Sequence, residues 1–257
     1  MSEPILSLRN VRRYFGGVKA VDGVSFDVFP NTITGLIGPN GAGKTTTFNL
    51  ITGFYKPDEG DILFNGERIN GLNLHQTFHK GLCRTFQISR ELKLMTVLEN
   101  LMLVSPHQDG ENLLKTWFMP GLVKKEETAN RDKALSILKS VNLIHLKDEY
   151  AGNLSGGQKR LLELARSMMS GAKLILFDEP GAGVNPIERK TLAARIRELV
   201  EKQNITVLLI GHEMELVMDI CDPIIVMDWG KKLMEGTPDE VATNPQVLEV
   251  YLGGAKK

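Results

Sequence analysis

Residues 38–45 read Gly-Pro-Asn-Gly-Ala-Gly-Lys-Thr, and they set the architecture expected of the rest of the 257-residue chain. The apolar segment Gly35-Leu36-Ile37 precedes them and has the character of a strand, whereas a helical pattern runs from Lys44 to Ile51. Glycines at these intervals, followed by lysine and threonine where the helix begins, form the pattern of a phosphate-binding loop. The glycines allow backbone N–H groups to surround phosphate oxygens, and the helix N-terminus adds positive potential.

The two polar residues that end this loop have distinct expected roles. Lys44 is expected to reach the β- and γ-phosphates of a nucleotide, and the Thr45 hydroxyl is expected to ligate Mg²⁺. A chance glycine-rich turn is the alternative, and the strand–loop–helix context disfavours it.

Two adjacent carboxylates, Asp178 and Glu179, end the aliphatic run Leu174–Phe177. Ligands of parallel sheets bind beyond the carboxyl ends of the strands. Asp178 is therefore predicted to belong to the Mg²⁺ site, and Glu179 to act as the general base on an attacking water. An ordinary acidic strand end is the alternative, which the presence of the loop at residues 38–45 makes the weaker interpretation.

Hydrophobic periodicity divides the chain into segments of different character. Short aliphatic runs alternate with helical patterns after residue 158, which is typical of buried parallel strands with crossover helices.

The first 35 residues have strand character, and Asn65-Gly66 predicts a hairpin. The sequence predicts an α/β core formed by residues 1–87 and 159–257, which includes an N-terminal antiparallel β subdomain. Residues 88–158 have helical spacings and are predicted to form an inserted helical subdomain. A last, peripheral helix is expected to begin at Asn244-Pro245.

Composition excludes several classes of protein. The 31 lysines and arginines balance 31 aspartates and glutamates, so there is no basic excess of the kind that nucleic-acid-binding proteins carry. Cys83 and Cys221 lie far apart, which excludes a disulfide framework and a cysteine zinc site. The sequence shows no secretory signal and no apolar stretch near the ~18 residues of a membrane span. We therefore expect a soluble, cytosolic chain with no nucleic-acid partner.

The pentapeptide at residues 154–158, Leu-Ser-Gly-Gly-Gln, precedes a helical pattern. A serine cap followed by a flexible glycine pair is one interpretation. Together with the loop at residues 38–45 and the two carboxylates, however, the pentapeptide makes the chain resemble the ATP-binding cassette (ABC) ATPases, in which LSGGQ is the signature. The resemblance covers essentially the whole chain and implies a P-loop NTPase (RecA-like) core.

The resemblance also implies roles for further residues. Gln87 matches the glutamine that touches the metal, and His212 matches the histidine that contacts the γ-phosphate. Phe15 matches the aromatic residue that stacks on adenine, although the sequence does not separate it from Tyr14. The implied nucleotide-binding residues are Phe15, Gly38, Pro39, Asn40, Gly41, Ala42, Gly43, Lys44, Thr45, Thr46, Ser155, Gly156, Gly157 and Gln158. The implied catalytic residues are Lys44, Gln87, Glu179 and His212, and the implied Mg²⁺ ligands are Thr45, Gln87 and Asp178.

In the family that the chain resembles, the signature of one protomer serves the nucleotide of the other. The resemblance therefore implies that ATP closes a head-to-tail dimer with a second ATPase subunit, identical or different, and that hydrolysis reopens it. It also implies integral membrane permease subunits, indirectly a substrate-binding protein, and a peripheral location at the cytoplasmic side of the inner membrane. Leu92, Leu94 and Met95 are a candidate docking surface for a permease helix, with packing inside the helical subdomain as the alternative.

Within the family, residues 84–87 (Arg-Thr-Phe-Gln), 95–100 and 250–253 most resemble the ATPases of branched-chain amino acid importers. The ATPase of a lipid or lipopolysaccharide exporter and a non-membrane ABC ATPase remain alternatives. The absence of sustained heptads between Lys44 and Ser155 disfavours the latter. One departure is Asn185, where the family commonly has an aspartate. The chain therefore cannot offer a charged hydrogen-bond acceptor across the dimer interface at this position.

Overall fold

The structure is a computed structural model that describes residues 3–85, 91–106, 117–211 and 213–252. It is mixed α/β and divides into two units. The first unit comprises Met1–Gln87, Lys173–Ala182 and Ala193–Lys257, and the second comprises Ile88–Ala172 and Gly183–Leu192.

All the strands described belong to the first unit. In chain order they are β1 (Leu6–Phe15), β2 (Val18–Val28), β3 (Ile33–Ile37), β4 (Glu59–Phe64), β5 (Glu67–Arg68), β6 (Leu82–Arg84), β7 (Leu174–Asp178), β8 (Thr206–Ile210), β9 (Ile224–Asp228) and β10 (Lys231–Gly236).

The α-helices described are distributed between both units. In chain order they are α1 (Lys44–Ile51), α2 (Leu74–His79), α3 (Val97–Met102), α4 (Pro120–Ser140), α5 (Gly156–Met169), α6 (Pro186–Gln203), α7 (Met214–Ile220), α8 (Pro238–Thr243) and α9 (Pro245–Leu252). Among the residues described, no helix combines the length and the apolar character needed to cross a membrane.

A six-stranded sheet has the spatial order β10-β9-β3-β8-β7-β6. Its neighbours pair in parallel, except for the antiparallel pair β9 and β10. The aliphatic runs predicted from the sequence are confirmed as β7, β8 and β9, and every residue of β3, β7 and β8 is buried. Because β3, β8 and β7 are parallel, the loop at residues 38–45 and the Asp178–Glu179 pair lie at the same edge of the sheet.

The predicted N-terminal antiparallel structure is confirmed as a four-stranded sheet of order β2-β1-β4-β5. Asn65 and Gly66 connect β4 to β5 with φ angles of +51° and +76°. Positive φ at both central positions is typical of the tight hairpin turn that the dipeptide predicts.

One hydrophobic cluster contains side chains from both sheets and from α1. Phe48 of α1 is fully buried in this cluster, and Ile51 joins it from the next turn. The helix that begins at Lys44 is therefore fixed by core packing. Other members of the cluster are Leu8, Leu36, Phe64 and Leu208.

In the second unit, α3, α4 and α5 pack against one another. Leu101, Leu138 and Leu162, one from each helix, are buried there. The sequence placed the end of the helical subdomain at Gln158, whereas the second unit continues to Ala172. The physical reason is that α5, which begins within the signature at Gly156, packs against α3 and α4.

Candidate functional site

The loop between β3 and α1 depends on glycine at both of its ends. Gly38 and Gly43 have φ angles of +152° and +98°, which side-chain-bearing residues rarely adopt. A Cβ atom at Gly38 would lie 2.2 Å from the carbonyl oxygen of Met227, and one at Gly43 would lie 2.3 Å from that of Ala20. Conformation and packing therefore both require glycine at these positions.

Lys44 is 5% exposed, and its Nζ donates hydrogen bonds to the carbonyl oxygens of Gly38 (2.8 Å) and Pro39 (2.9 Å). Burial lowers the pKa of Lys44, while the charges of the Glu179 and Asp178 carboxylates oppose this shift. The structure thus brings together the lysine and both carboxylates that the sequence singled out.

Within the part of the chain that the structure describes, the first turn of α1 has no side-chain cap and no acidic residue. By contrast, α2, α3, α5 and α8 each begin with a capping box. Thr45 is exposed and Thr46 is half-buried in this uncapped turn. Since the first N–H groups of a helix have no partner within the helix, this turn suits an anion. Of the preceding loop residues, Asn40 and Gly41 are exposed and Ala42 is buried.

A buried ion pair fixes Asp178. Arg84 Nη2 donates to Asp178 Oδ2 at 2.6 Å, with the two side chains 11% and 7% exposed, and Arg84 Nη1 donates to Asn49 Oδ1 on α1. One guanidinium group therefore links β6, β7 and α1. Sequence reasoning missed this role for Arg84, because it depends on the pairing of β6 with β7, which places Arg84 opposite Leu176.

Glu179 has a left-handed backbone conformation, with φ at +52°. This region is sparsely populated by residues other than glycine, and such outliers cluster at functional sites. The Glu179 N–H donates to the carbonyl oxygen of Ile210 at 2.9 Å, and the Glu179 carbonyl oxygen accepts from the N–H of Ala182 at 3.1 Å. These bonds hold the turn that follows β7.

Gln87 and His212 lie outside the residues that the structure describes, so their expected roles stay predictions. The residues described nearest to them in the chain lie beside the six-stranded sheet. The N–H of Thr85 donates to the carbonyl oxygen of Leu176 at 2.9 Å, and Gly211 directly follows β8.

The structure distinguishes Tyr14 from Phe15. The Tyr14 hydroxyl donates to Asp22 Oδ1 at 3.1 Å, and burial together with the ionised Asp22 raises the pKa of Tyr14. Phe15 is 39% exposed, with the Tyr55 ring at 5.2 Å in an edge-to-face arrangement and the Arg13 guanidinium 4.8 Å from its ring centre. The Tyr14 ring is thus tied to Asp22 through its hydroxyl, whereas the Phe15 ring offers an exposed apolar surface.

The last helix described, α9, carries a partly buried tyrosine near the loop at residues 38–45. The helix predicted to begin at Asn244-Pro245 is confirmed as α9, and most of its side chains are exposed, as expected of a peripheral helix. Burial raises the pKa of Tyr251 to about 12, and the nearby backbone of Gly38 acts in the opposite direction. The helical pattern gave no indication of this proximity, which depends on tertiary packing.

The signature residues lie in the second unit, at the start of α5. Ser155 Oγ accepts from the N–H of Gln158 at 3.2 Å, and Gln158 Oε1 accepts from the N–H of Ser155 at 2.9 Å. This capping box confirms a serine cap, but both glycines of the signature lie within the helix and do not form a flexible hinge. Ser155 and Gly156 are exposed, whereas Gly157 is buried.

Among the described residues, no group of three or more histidine, cysteine, aspartate or glutamate side chains forms a metal site. Mg²⁺ prefers oxygen donors and is usually held by one or two carboxylates and substrate phosphates. The Asp178 carboxylate and the Thr45 hydroxyl are oxygen donors of that kind. Burial lowers the pKa of Lys44, which is the neighbour of Thr45 in the chain, and the charge of Asp178 opposes this shift. The residues present therefore fit Mg²⁺.

Two family models match the chain. The model described as ABC transporter matches residues 21–182, and the one described as branched-chain amino acid ATP-binding cassette transporter matches residues 231–257. The first match contains the loop at residues 38–45, the signature and both carboxylates, and the second contains Tyr251.

Individual proteins are similar to the chain over nearly its full length. It is 44% identical over 255 residues to the high-affinity branched-chain amino acid transport ATP-binding protein BraF of Pseudomonas aeruginosa, covering 99% of this chain and 100% of that protein. It is 44% identical over 260 residues to LivG of Escherichia coli, a protein of the same description, with the same coverage. A solved structure of an ATP-binding cassette of an ABC transporter in its ADP conformation is 40% identical, with a TM-score of 0.85, covering 98% of this chain and 100% of the other.

We predict that Arg84→Met lowers the free energy of unfolding by about 3–5 kcal/mol, because it leaves the buried Asp178 carboxylate without its partner. Urea unfolding followed by circular dichroism measures the loss. The matched control is Arg9→Met, which removes a pair with Asp27 whose side chains are 49% and 32% exposed. The control is expected to cost less than about 1 kcal/mol, and equal losses in both variants contradict the role assigned to Arg84.

Proposed function

The chain belongs to the ABC transporter family, and from that premise we propose that it is the ATP-binding and ATP-hydrolysing subunit of a transporter that imports branched-chain amino acids. The observation that carries the ATPase assignment is the meeting of Lys44, Asp178 and Glu179 beside the uncapped start of α1. The full-length similarity to BraF and LivG and the family match over residues 231–257 support the cargo.

The chain's own groups explain how a nucleotide triphosphate is held. The N–H groups of the loop and of the first turn of α1 donate to the β- and γ-phosphate oxygens, as expected for an uncapped helix start. Lys44, which bonds to the Gly38 and Pro39 carbonyl oxygens, turns its ammonium to the phosphates, which are stronger acceptors for a charged donor. Phe15 offers its exposed ring to the adenine.

Hydrolysis in this proposal is an in-line attack of water on the γ-phosphorus. Glu179 accepts a proton from the water as its oxygen bonds to phosphorus, and the bond to the ADP oxygen breaks, releasing phosphate and ADP. His212 contacts the γ-phosphate. Thr45, Asp178 and Gln87 would hold Mg²⁺, which would supply positive charge to the phosphate oxygens.

The second half of each site comes from another protomer. We propose that Ser155 and the N–H groups of Gly156 and Gly157 contact the γ-phosphate bound by the opposite subunit, with Gln158 stabilising this turn. ATP then closes a head-to-tail dimer, and loss of the γ-phosphate opens it. This gives a two-state element whose equilibrium is set by one phosphate.

The partners follow from this role. We propose that the subunit is peripheral, at the cytoplasmic side of the inner membrane, and is bound to integral membrane permease subunits. A substrate-binding protein is an indirect partner. The candidate docking surface around residues 92–95 is supported by exposure, since Leu92 is 40% and Leu94 is 91% exposed.

We predict that Glu179→Gln binds ATP with wild-type affinity, does not hydrolyse it, and accumulates as an ATP-bound dimer. The amide has the size of the carboxylate but does not accept the proton. Phosphate release measures hydrolysis, and light scattering measures the dimer. A Glu179→Gln protein that is fully active and monomeric contradicts the assignment.

The companion variant is Ser155→Arg, which places a large cation on the exposed signature surface. It is expected to abolish hydrolysis and ATP-dependent dimer formation while leaving nucleotide binding by the monomer intact. Loss of nucleotide binding by the monomer argues against the division of the site between protomers.

We predict that Phe15→Leu weakens ATP binding by about tenfold, since stacking on a base is worth about 1–3 kcal/mol. Tyr14→Leu is the matched control, because it removes an adjacent ring of similar size that is bonded to Asp22. Titration calorimetry measures both affinities on proteins whose thermal unfolding is checked first. A larger loss in Tyr14→Leu reverses the assignment.

We predict ATP-dependent uptake of leucine, isoleucine and valine when the subunit is reconstituted into proteoliposomes with its co-purified membrane subunits. Glu179→Gln complexes are the control and are expected to transport nothing. Export of lipid, with no amino acid uptake, contradicts the proposed cargo but leaves the ATPase assignment standing.

A further inference from the structure

Asn185 uses both ends of its side-chain amide at the start of α6. Its Oδ1 accepts from the N–H groups of Ile187 (3.1 Å) and Glu188 (2.9 Å), which makes it the cap of this helix. Its Nδ2 donates to Glu188 Oε2 at 2.7 Å. The oxygen therefore caps the helix, while the nitrogen holds a carboxylate.

That carboxylate lies against the signature. A Cβ atom at Gly157 would lie 2.4 Å from Glu188 Cδ and 2.6 and 2.7 Å from its two oxygens. Gly157 is buried in the first turn of α5, two residues after Ser155. A negative charge is favourable at a helix start, so the carboxylate suits this position electrostatically as well as sterically.

This arrangement accounts for the departure noted at position 185. An aspartate there could cap α6 equally well, because aspartate and asparagine are equivalent N-caps. It would, however, replace the Nδ2 donor with an oxygen at 2.7 Å from Glu188 Oε2. Two carboxylates at that separation do not both remain ionised without rearrangement. Glu188 is therefore the physical reason for asparagine at position 185.

We propose that Asn185 and Glu188 are positioning residues for the signature, and that Asn185 fixes the Glu188 carboxylate against Gly157 so that the first turn of α5 keeps the geometry that meets the γ-phosphate of the opposite protomer. The proposal rests on the proposed function, since it concerns the dimer that ATP closes. It adds two residues that bind no nucleotide and act through Gly157.

The test is a set of substitutions in the full-length protein. Asn185→Asp keeps the cap of α6 but turns attraction into repulsion, and we expect kcat to fall at least about tenfold while ATP affinity of the monomer stays unchanged. The double variant Asn185→Asp/Glu188→Gln is expected to recover most of the activity, because the amide introduced at position 188 donates to the carboxylate introduced at position 185.

Asn73→Asp is the matched control. Asn73 caps α2 in the same way, but its partner at the third position is the neutral Gln76, so the same substitution creates no pair of like charges. It is expected to leave kcat and thermal unfolding unchanged.

The outcomes are separable. Wild-type activity in Asn185→Asp, or a double variant no better than the single one, overturns the positioning pair while leaving the proposed function intact. A wild-type protein that neither hydrolyses ATP nor dimerises with it overturns the proposed function, and the positioning role falls with it. A fall in kcat without a change in monomer ATP affinity, restored in the double variant, supports the proposal.

Discussion

The parallel pairing of β3, β8 and β7 is the constraint on which the nucleotide site depends. Ile210, the last residue of β8, lies opposite Leu36 on one side and Asp178 on the other. One residue of the central strand thereby sets the register of both the strand that leads into the loop and the strand that ends in the carboxylates. The Glu179 N–H donates to the carbonyl oxygen of the same residue, so this register also fixes the turn that carries the proposed general base.

Several charged side chains are buried at the edge of the sheet where the parallel strands end. Lys44, Asp178 and Arg84 are all nearly buried, and each is bonded to a fixed partner: loop carbonyl oxygens for the lysine and one another for the ion pair. Burying charge is unfavourable unless partners are supplied, and the pairing satisfies that requirement. In the proposed function, a nucleotide phosphate replaces acceptors that Lys44 already has, so the loop is organised before the nucleotide binds.

The sequence predicted those features that depend on local pattern. The loop glycines, the aliphatic runs and the Asn65-Gly66 hairpin each follow from a short stretch of residues, and the observed strands agree with them. What escaped prediction depends on distant pairing. The Arg84–Asp178 bond joins residues 94 positions apart. The proximity of Tyr251 to the backbone of Gly38 needs the folded core, and the packing of α5 carries the second unit beyond Gln158.

The starts of α1 and α5, the two helices proposed to bind phosphate, differ in their capping. Among the residues described, the start of α1 has no capping side chain, so its N–H groups can donate to an anion without losing a side-chain partner. The start of α5 has its capping box in place and the Glu188 carboxylate beside Gly157, which offsets part of its positive potential. In the proposed dimer, the start of α5 therefore depends on the further contacts of the opposite protomer to hold the phosphate. This asymmetry supports the proposal that a monomer binds ATP through α1 and uses its signature only within the closed dimer.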